Sequence, residues 1–331
     1  VVFYTLNTFV HFSFLNTAAS PAGIAVIHSL FNIGATILLF PFANLLEKMA
    51  ILAIPDKGSE VEEMEEEKIN PDLARLDERF LDKPGFAMEE CRGVAINMAR
   101  KSKKAMNLAI DLLKEYDEKT SARVEKLENQ IDQYEDALGT YLVKLSERDL
   151  SVKDSRILSV LLHCIGDFER ISDHAVNIRD AAVEMNKKNL QFSDKAKQEL
   201  LVFSNAIRDI IDRAVLAFET GDTGLAKEVE PLEQVVDALN KEEKQRHINR
   251  LRTGTCTIEL GFVLSDISTN FERAADHCSN IAVCLLQVDE GGFDTHEYLD
   301  ILKEENSEEF RHEYMELSEK YTLPESKHGG K

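Results

Sequence analysis

A chain of 331 residues with 60 acidic side chains, 39 basic ones and a formal charge of −21 is too acidic to favour a nucleic-acid partner, whose phosphates select positive surfaces. The length suits two domains, or one domain with appendages. The charge is unevenly spread: the first 46 residues carry no Lys, Arg, Asp or Glu, Glu47 and Lys48 cancel, and the whole net charge lies after residue 55.

The chain begins on Val1 inside a hydrophobic run, so an upstream part is expected. Val1–Leu15 is apolar and aromatic but short for a membrane span. Asn16–Pro21 reads as a small polar turn. Ala22–Phe42 is 21 residues without a charge, enough to cross a hydrocarbon layer of about 30 Å, and it lacks the basic start of a signal peptide. It predicts a transmembrane helix with residue 48 onward in the cytosol. His28 and Asn32 lie within it at i, i+4, where polar groups face other helices or a cavity. They are candidates either for an interhelical hydrogen bond or for a place beside a transport pathway. Pro55–Pro84, with the acidic run Glu60–Glu67, predicts a solvated connector.

From Gly85 to about Asp289 the pattern is helical. Val124, Leu127, Ile131, Tyr134, Leu138, Tyr141 and Leu145 alternate steps of three and four, which buries one stripe. A second stripe runs Ile157, Leu161, Ile165, Phe168, Ile171, Ala175 and Ile178. A third, earlier one runs Cys91, Val94, Met98, Ala105, Ala109 and Leu112. That makes three helices in the first half, matched by three near 193–219, 222–252 and 256–288. No stretch sustains a two-residue alternation, so no sheet is expected. The five cysteines (Cys91, Cys164, Cys256, Cys278 and Cys284) show no C-x-x-C spacing and are expected within helices as reduced core thiols. Beyond Gly291 and Gly292 a charged tail offers two short helices, His296–Glu305 and Ser307–Tyr321, with fraying from Pro324. The predicted class is all-α: the end of a helical membrane domain (1–55), an acidic connector (56–84), a six-helix domain (85–290) and a charged tail (291–331).

An internal repeat organises the helical part. DFERISDHAVNI at Asp167–Ile178 returns as NFERAADHCSNI at Asn270–Ile281, at an offset of 103. VEKLENQID at Val124–Asp132 returns as VEPLEQVVD at Val229–Asp237, at an offset of 105. Each half therefore carries two Glu-x-x-x-Asp pairs: Glu128/Asp132 with Glu169/Asp173, and Glu233/Asp237 with Glu272/Asp276. Four residues turn a helix by about 400°, so each pair sits on one face. Two such helices side by side bring four carboxylates together, a first shell for hard or borderline cations such as iron, manganese, magnesium or calcium. The competing reading is surface charge paired with Arg170 and Arg273. His174 and His277 follow the Asp of each copy and are turned about 100° away from it. The Glu-x-x-His spacing of di-iron oxidases, a Walker A loop, G-x-G-x-x-G and H-E-x-x-H are all missing, and no enzyme is expected.

The repeated ERxxDHxxNI with its upstream Glu-x-x-x-Asp resembles the signature of PhoU-type proteins, bacterial phosphate-signalling proteins built from two three-helix bundles. The resemblance implies metal clusters on the acidic motifs. AVIHSLFNIGATILLFPFANLLEKMA at Ala25–Ala50 and LDERFLDKPGFAMEECR at Leu76–Arg92 resemble bacterial sodium/phosphate cotransporters. That second resemblance implies the C-terminal portion of a multi-pass symporter of the cell inner membrane. Inorganic phosphate would be its substrate, sodium its coupling ion, and the PhoU-like domain a cytoplasmic regulatory module, with self-association left open. The family's Gln-Ser-Ser transport motifs do not occur in this chain and would lie upstream. The alternatives are a membrane-tethered PhoU-like adaptor acting on a separate phosphate transporter, and a metal enzyme such as an oxidase or phosphatase.

Overall fold

The computed structural model describes residues 70–290 and 308–324, together with Ser29, Asn32–Gly34 and Thr36. The chain divides into two compact units, Val1–Lys68 and Ile69–Lys331. In the first unit a helical fragment is described, in which the Thr36 hydroxyl donates to the Asn32 carbonyl at 2.8 Å. His28 lies outside the described residues, as does most of the expected span Ala22–Phe42. Among the described residues no helix is long and apolar enough to cross a membrane, so the expected membrane domain gains no support from the fold.

The second unit is helical, and among its described residues there is no strand. It opens with two short 3-10 turns, Leu73–Arg75 and Glu78–Phe80. Then come α1 (Pro84–Leu112), α2 (Glu118–Ser146), α3 (Val152–Lys188), α4 (Asp194–Thr220), α5 (Thr223–Lys227), α6 (Val229–Arg252), α7 (Ile258–Glu290) and α8 (Glu308–Lys320). Their ends follow from capping chemistry. Pro84 opens α1, where its missing N–H costs nothing. Asp117, Ser151 and Ser193 each accept a backbone N–H in the first turn of α2, α3 and α4. Asn189 and Gly221 end α3 and α4 in the left-handed region, at φ 51° and 68°. The single helix expected over 222–252 is broken into α5 and α6. Pro231 has no N–H to give the Lys227 carbonyl, so the helix restarts at Val229 with Pro231 inside its first turn.

The three stripes read from the sequence face inward. Of their residues only Ile157 is more than marginally exposed. α1, α2 and α3 pack together in the first half, and α4, α6 and α7 in the second. The halves join through α3 against α7 and through α1 against α4. Aromatic rings lock this arrangement at equivalent places: Phe168 meets Phe218 edge-on at 4.9 Å, and Phe271 meets Phe203 at 5.2 Å. Both partner rings come from α4, which threads the joint between the halves.

Each half is also braced from outside. The segment entering α1, assigned to the connector on sequence, packs on the first half. Tyr134 donates to Asp72, Tyr141 donates to the Asp77 carbonyl at 2.9 Å, and Lys144 reaches Glu78 at 2.6 Å. At the other end α8 lies on α6 and α4. Glu313 meets Arg213 at 3.0 Å, and Lys320 and Tyr321 both reach Asp209. Fraying was expected from Pro324, yet its carbonyl accepts from Arg246 at 2.5 Å, so the brace includes Pro324 itself. The other short helix expected, His296–Glu305, lies outside the described residues.

All five cysteines are free. Four are buried in helices, but Cys256 sits in the bend before α7, because Thr257 caps that helix by accepting the Leu260 N–H at 3.2 Å. Burial pushes the Cys91 thiol up to about 12 and raises the Cys278 thiol further. A thiolate-selective reagent such as Ellman's should therefore titrate Cys256 quickly in the native chain and the other four only after denaturation. Fast native reaction of two or more thiols would contradict this burial.

Candidate functional site

The repeated carboxylates face one another across helix pairs. In the first half, Glu128 and Asp132 on α2 confront Glu169 and Asp173 on α3. The electrostatics register the approach. Burial, then the charges of Asp173 and Asp132, raise the Glu128 carboxyl above its ordinary value. Burial and Asp173 push Glu169 up to about 7. Glu135, one turn beyond Asp132, is raised by burial and by Asp136 and Asp132, and its charge reaches Glu169 as well. Two cations lie near: Arg170 is loose, its nitrogens 3.4 Å from both Glu169 and Asp173, and Arg179, paired with Glu125 at 3.4 Å, offsets part of the rise at Glu128. The ion-pair reading therefore accounts for part of the charge only.

The second half is built alike but balanced differently. Glu272 and Asp276 on α7 face Glu233 and Asp237 on α6, and burial and the Glu272 charge raise Asp276. Arg273 is as loose as its counterpart, at 3.8 Å from Glu272 and 3.6 Å from Asp276. Here, however, Lys241 binds Asp237 at 2.6 Å, and its ammonium is held charged first by Asp237 and then by Glu233 and Glu272. At the offset of 105 the first half has Asp136 where the second has Lys241, and Glu135 where the second has Asn240. One half thus concentrates six carboxylates, while the other carries its own tethered cation. Sequence reasoning missed Glu135 and Lys241, although extending the repeat by one helical turn exposes both.

The donor chemistry of the first half fits a hard cation, because its acids are all-oxygen, mutually repelling and partly desolvated. Among the described residues no group of three or more His, Cys, Asp or Glu side chains is set at metal-binding distance. The acids oppose one another without closing on a common point.

The pH dependence follows from the sign of the Glu169 shift. A carboxyl whose folded pKa rises from 4.5 to about 7 binds its proton more tightly when folded. That stability is fully present below about 4.5 and lost as pH climbs through about 7. Thermal melts of the full chain in chelator should therefore fall across that window. Glu169→Gln should flatten the fall and raise the melting point at pH 8. Parallel curves for the two proteins would refute the repulsion.

The two histidines of the repeat do not join the carboxylates. His174 donates through Nδ1 to Asn270 at 2.8 Å, and Asn177 donates to the same oxygen at 3.0 Å. His277 makes the mirror contact to Asp167 at 2.8 Å, with Asn280 at 3.3 Å. The rings stack at 5.6 Å. Each half thus reaches into the other through the same three positions, which makes the pairing of α3 and α7 antiparallel and reciprocal. The 100° turn of these histidines away from the acids serves the joint between halves.

Comparison with known proteins agrees with this two-half architecture. The PhoU domain family model matches twice, at residues 95–182 and 200–285, together just over half of the chain. A phosphate-specific transport system accessory protein, PhoU homolog 1 of Thermotoga maritima, is 23% identical over 188 residues, covering 56% of this chain and 80% of that protein. The PhoU homolog of Pseudomonas aeruginosa is 23% identical over 219 residues, 66% of this chain and 90% of its own length. The crystal structure of PhoU from Pseudomonas aeruginosa superposes with a TM-score of 0.58 at 22% identity, over 62% of this chain and 97% of that one. The phosphate transport system regulatory protein PhoU from Streptococcus pneumoniae gives 0.57 at 17% identity, over 64% and 99%. These findings correct the symporter expectation. The relatives are accessory and regulatory proteins of phosphate transport, and the similarity runs through the helical unit. The sodium coupling ion and the multi-pass membrane location fall with it, whereas the candidate place of His28 and Asn32 beside a transport pathway rests on the uncharged run Ala22–Phe42, most of which lies outside the described residues.

Proposed function

Since the chain belongs to the PhoU domain family, we propose that it is an accessory regulator of a separate phosphate transport system, acting by binding rather than by catalysis. The observation that carries this is the twofold family match over both three-helix halves, together with the accessory role of the relatives. A fold made of two like halves joined by a reciprocal polar clasp suits a scaffold between partners. Deleting the gene in its host should change radiolabelled phosphate uptake through the separate transporter, and an epitope-tagged chain should co-purify with that transporter. Unchanged uptake at low and high external phosphate, with no co-purification, would reject the reading.

The acidic faces are its cation sites. Glu128, Asp132, Glu169 and Asp173 would hold a hard or borderline cation such as iron, manganese or magnesium in the first half, and Glu233, Asp237, Glu272 and Asp276 in the second. Such a cation supplies charge neutralisation. The first half should take it in preference, because Lys241 already neutralises part of the second. Elemental analysis should find less metal in Asp132→Asn plus Asp173→Asn and more in Lys241→Ala. In excess metal the double variant should melt lower, since binding at a hundredfold excess over Kd is worth about 2.7 kcal/mol. In chelator it should melt no lower than the parent. Equal metal content in all three proteins would sink the cation sites.

A further inference from the structure

At the end of the seam between the halves, α1, α3, α4 and α7 surround a cavity of about 670 Å³. In a chain with 60 acidic side chains, no carboxylate among the described residues lines it. Three cations do: Arg92 from α1, and Lys153 and Arg156 one turn apart on α3. Arg92 uses one nitrogen on the Glu219 carbonyl, at 3.1 Å. Lys153 and Arg156 are exposed and form no ion pair among the described residues. The mouth also receives the N-terminus of α3, a helix of 37 residues, whose unpaired N–H groups add positive potential. The acid of that first turn, Asp154, is bonded to the capping Ser151 rather than to the lysine or the arginine. The floor is apolar, formed by Ile157, Phe218 and Leu285.

A positive rim over an apolar floor selects an anion with an apolar body, and the volume lies within the range of about 300–1,000 Å³ usual for small-molecule sites. We propose that this cavity binds a phosphate ester of nucleotide size. Three cations match the charge of a phosphate monoester better than that of a single carboxylate, and two of them are guanidinium forks suited to phosphate oxygens. The phosphate would lie against Arg92, Lys153 and Arg156, and the body against Phe218, Ile157 and Leu285. Because the walls come from both halves, the ligand would bridge them. The cavity at the opposite end of α1, about 460 Å³, offers two lysines, Lys114 and Lys197, and no arginine, and serves as the control.

The test is calorimetric titration of the full chain at low salt with adenosine 5′-monophosphate, adenosine and inorganic phosphate. The nucleotide should saturate, and each fragment should bind at least about tenfold more weakly, since each retains one part of the contact. Lys153→Glu plus Arg156→Glu should weaken the nucleotide by at least about tenfold. Its melting temperature should not change, because both side chains are exposed and unpaired. Arg156→Gln should act in the same direction. Lys114→Glu plus Lys197→Glu should leave binding intact. No saturable nucleotide heat at millimolar concentration, or equal affinity in the charge-reversed variant, would overturn the site. Adenosine or inorganic phosphate binding as tightly as the nucleotide would overturn the two-part recognition.

Discussion

Replacing Glu199 by Ala should lower the stability of the helical unit by about 3–5 kcal/mol, one of the two largest single-site effects expected in this chain. Glu199 is 1% exposed, on α4, and bonds Arg246 at 2.9 Å and Arg250 on α6. Arg250 also meets Glu243 at 3.0 Å, itself 2% exposed and held by the Ser268 hydroxyl at 3.1 Å. Arg246 continues to the Pro324 carbonyl. One network therefore ties α4, α6 and α7 to the segment after α8. Removing Glu199 leaves two guanidiniums in partly buried surroundings, each with one of its two acid partners gone. Glu242→Ala removes an acid that also bonds Arg246 but is half exposed, and should cost no more than about 1 kcal/mol. Urea melts of the two variants should separate clearly. Equal midpoints would mean that the buried network is energetically no different from a surface pair.

The second large effect is at the aromatic pairs of the repeat. Phe168→Ala and Phe271→Ala should each cost about 3–5 kcal/mol, because both rings are fully buried and each leaves a hole against its edge-on partner. Equilibrium unfolding should show losses of similar size for the two, since both rings are fully buried and each meets one ring of α4 edge-on. A loss under about 1 kcal/mol at either position would contradict the packing of that ring in the core.

Gly261 illustrates a constraint that only packing imposes. A Cβ there would stand 2.5 Å from His247 Nε2, so the glycine makes room for a buried imidazole. Nothing in the sequence pairs positions 247 and 261.

The sequence by itself determined the helical class, the inward stripes and the duplication, because each depends on a period within a single helix. Val124 through Leu145 alternate in steps of three and four and are buried for that reason. The same logic placed Glu128 with Asp132 and Glu169 with Asp173, one turn apart on their helices. A charge-free run is a weaker signal. Twenty-one uncharged residues at Ala22–Phe42 meet the length criterion for a bilayer, which is necessary for a span and does not establish one. The symporter reading, carried by the resemblance of Ala25–Ala50 and Leu76–Arg92, gave way to relatives that match through the helical unit. Tertiary structure alone decided what crosses between helices. Glu199 reads as a solvent charge until α6 brings two arginines over it, and Lys241 reads as an i, i+4 partner until α7 places a second acid pair beside it. His174 and His277 look like spare ligands until the antiparallel seam hands each to the opposite half. Local periodicity sets which face of a helix is buried. Which neighbour meets that face depends on how distant segments dock, and the resulting desolvation and charge pairing have no signature in the spacing of residues along one chain segment.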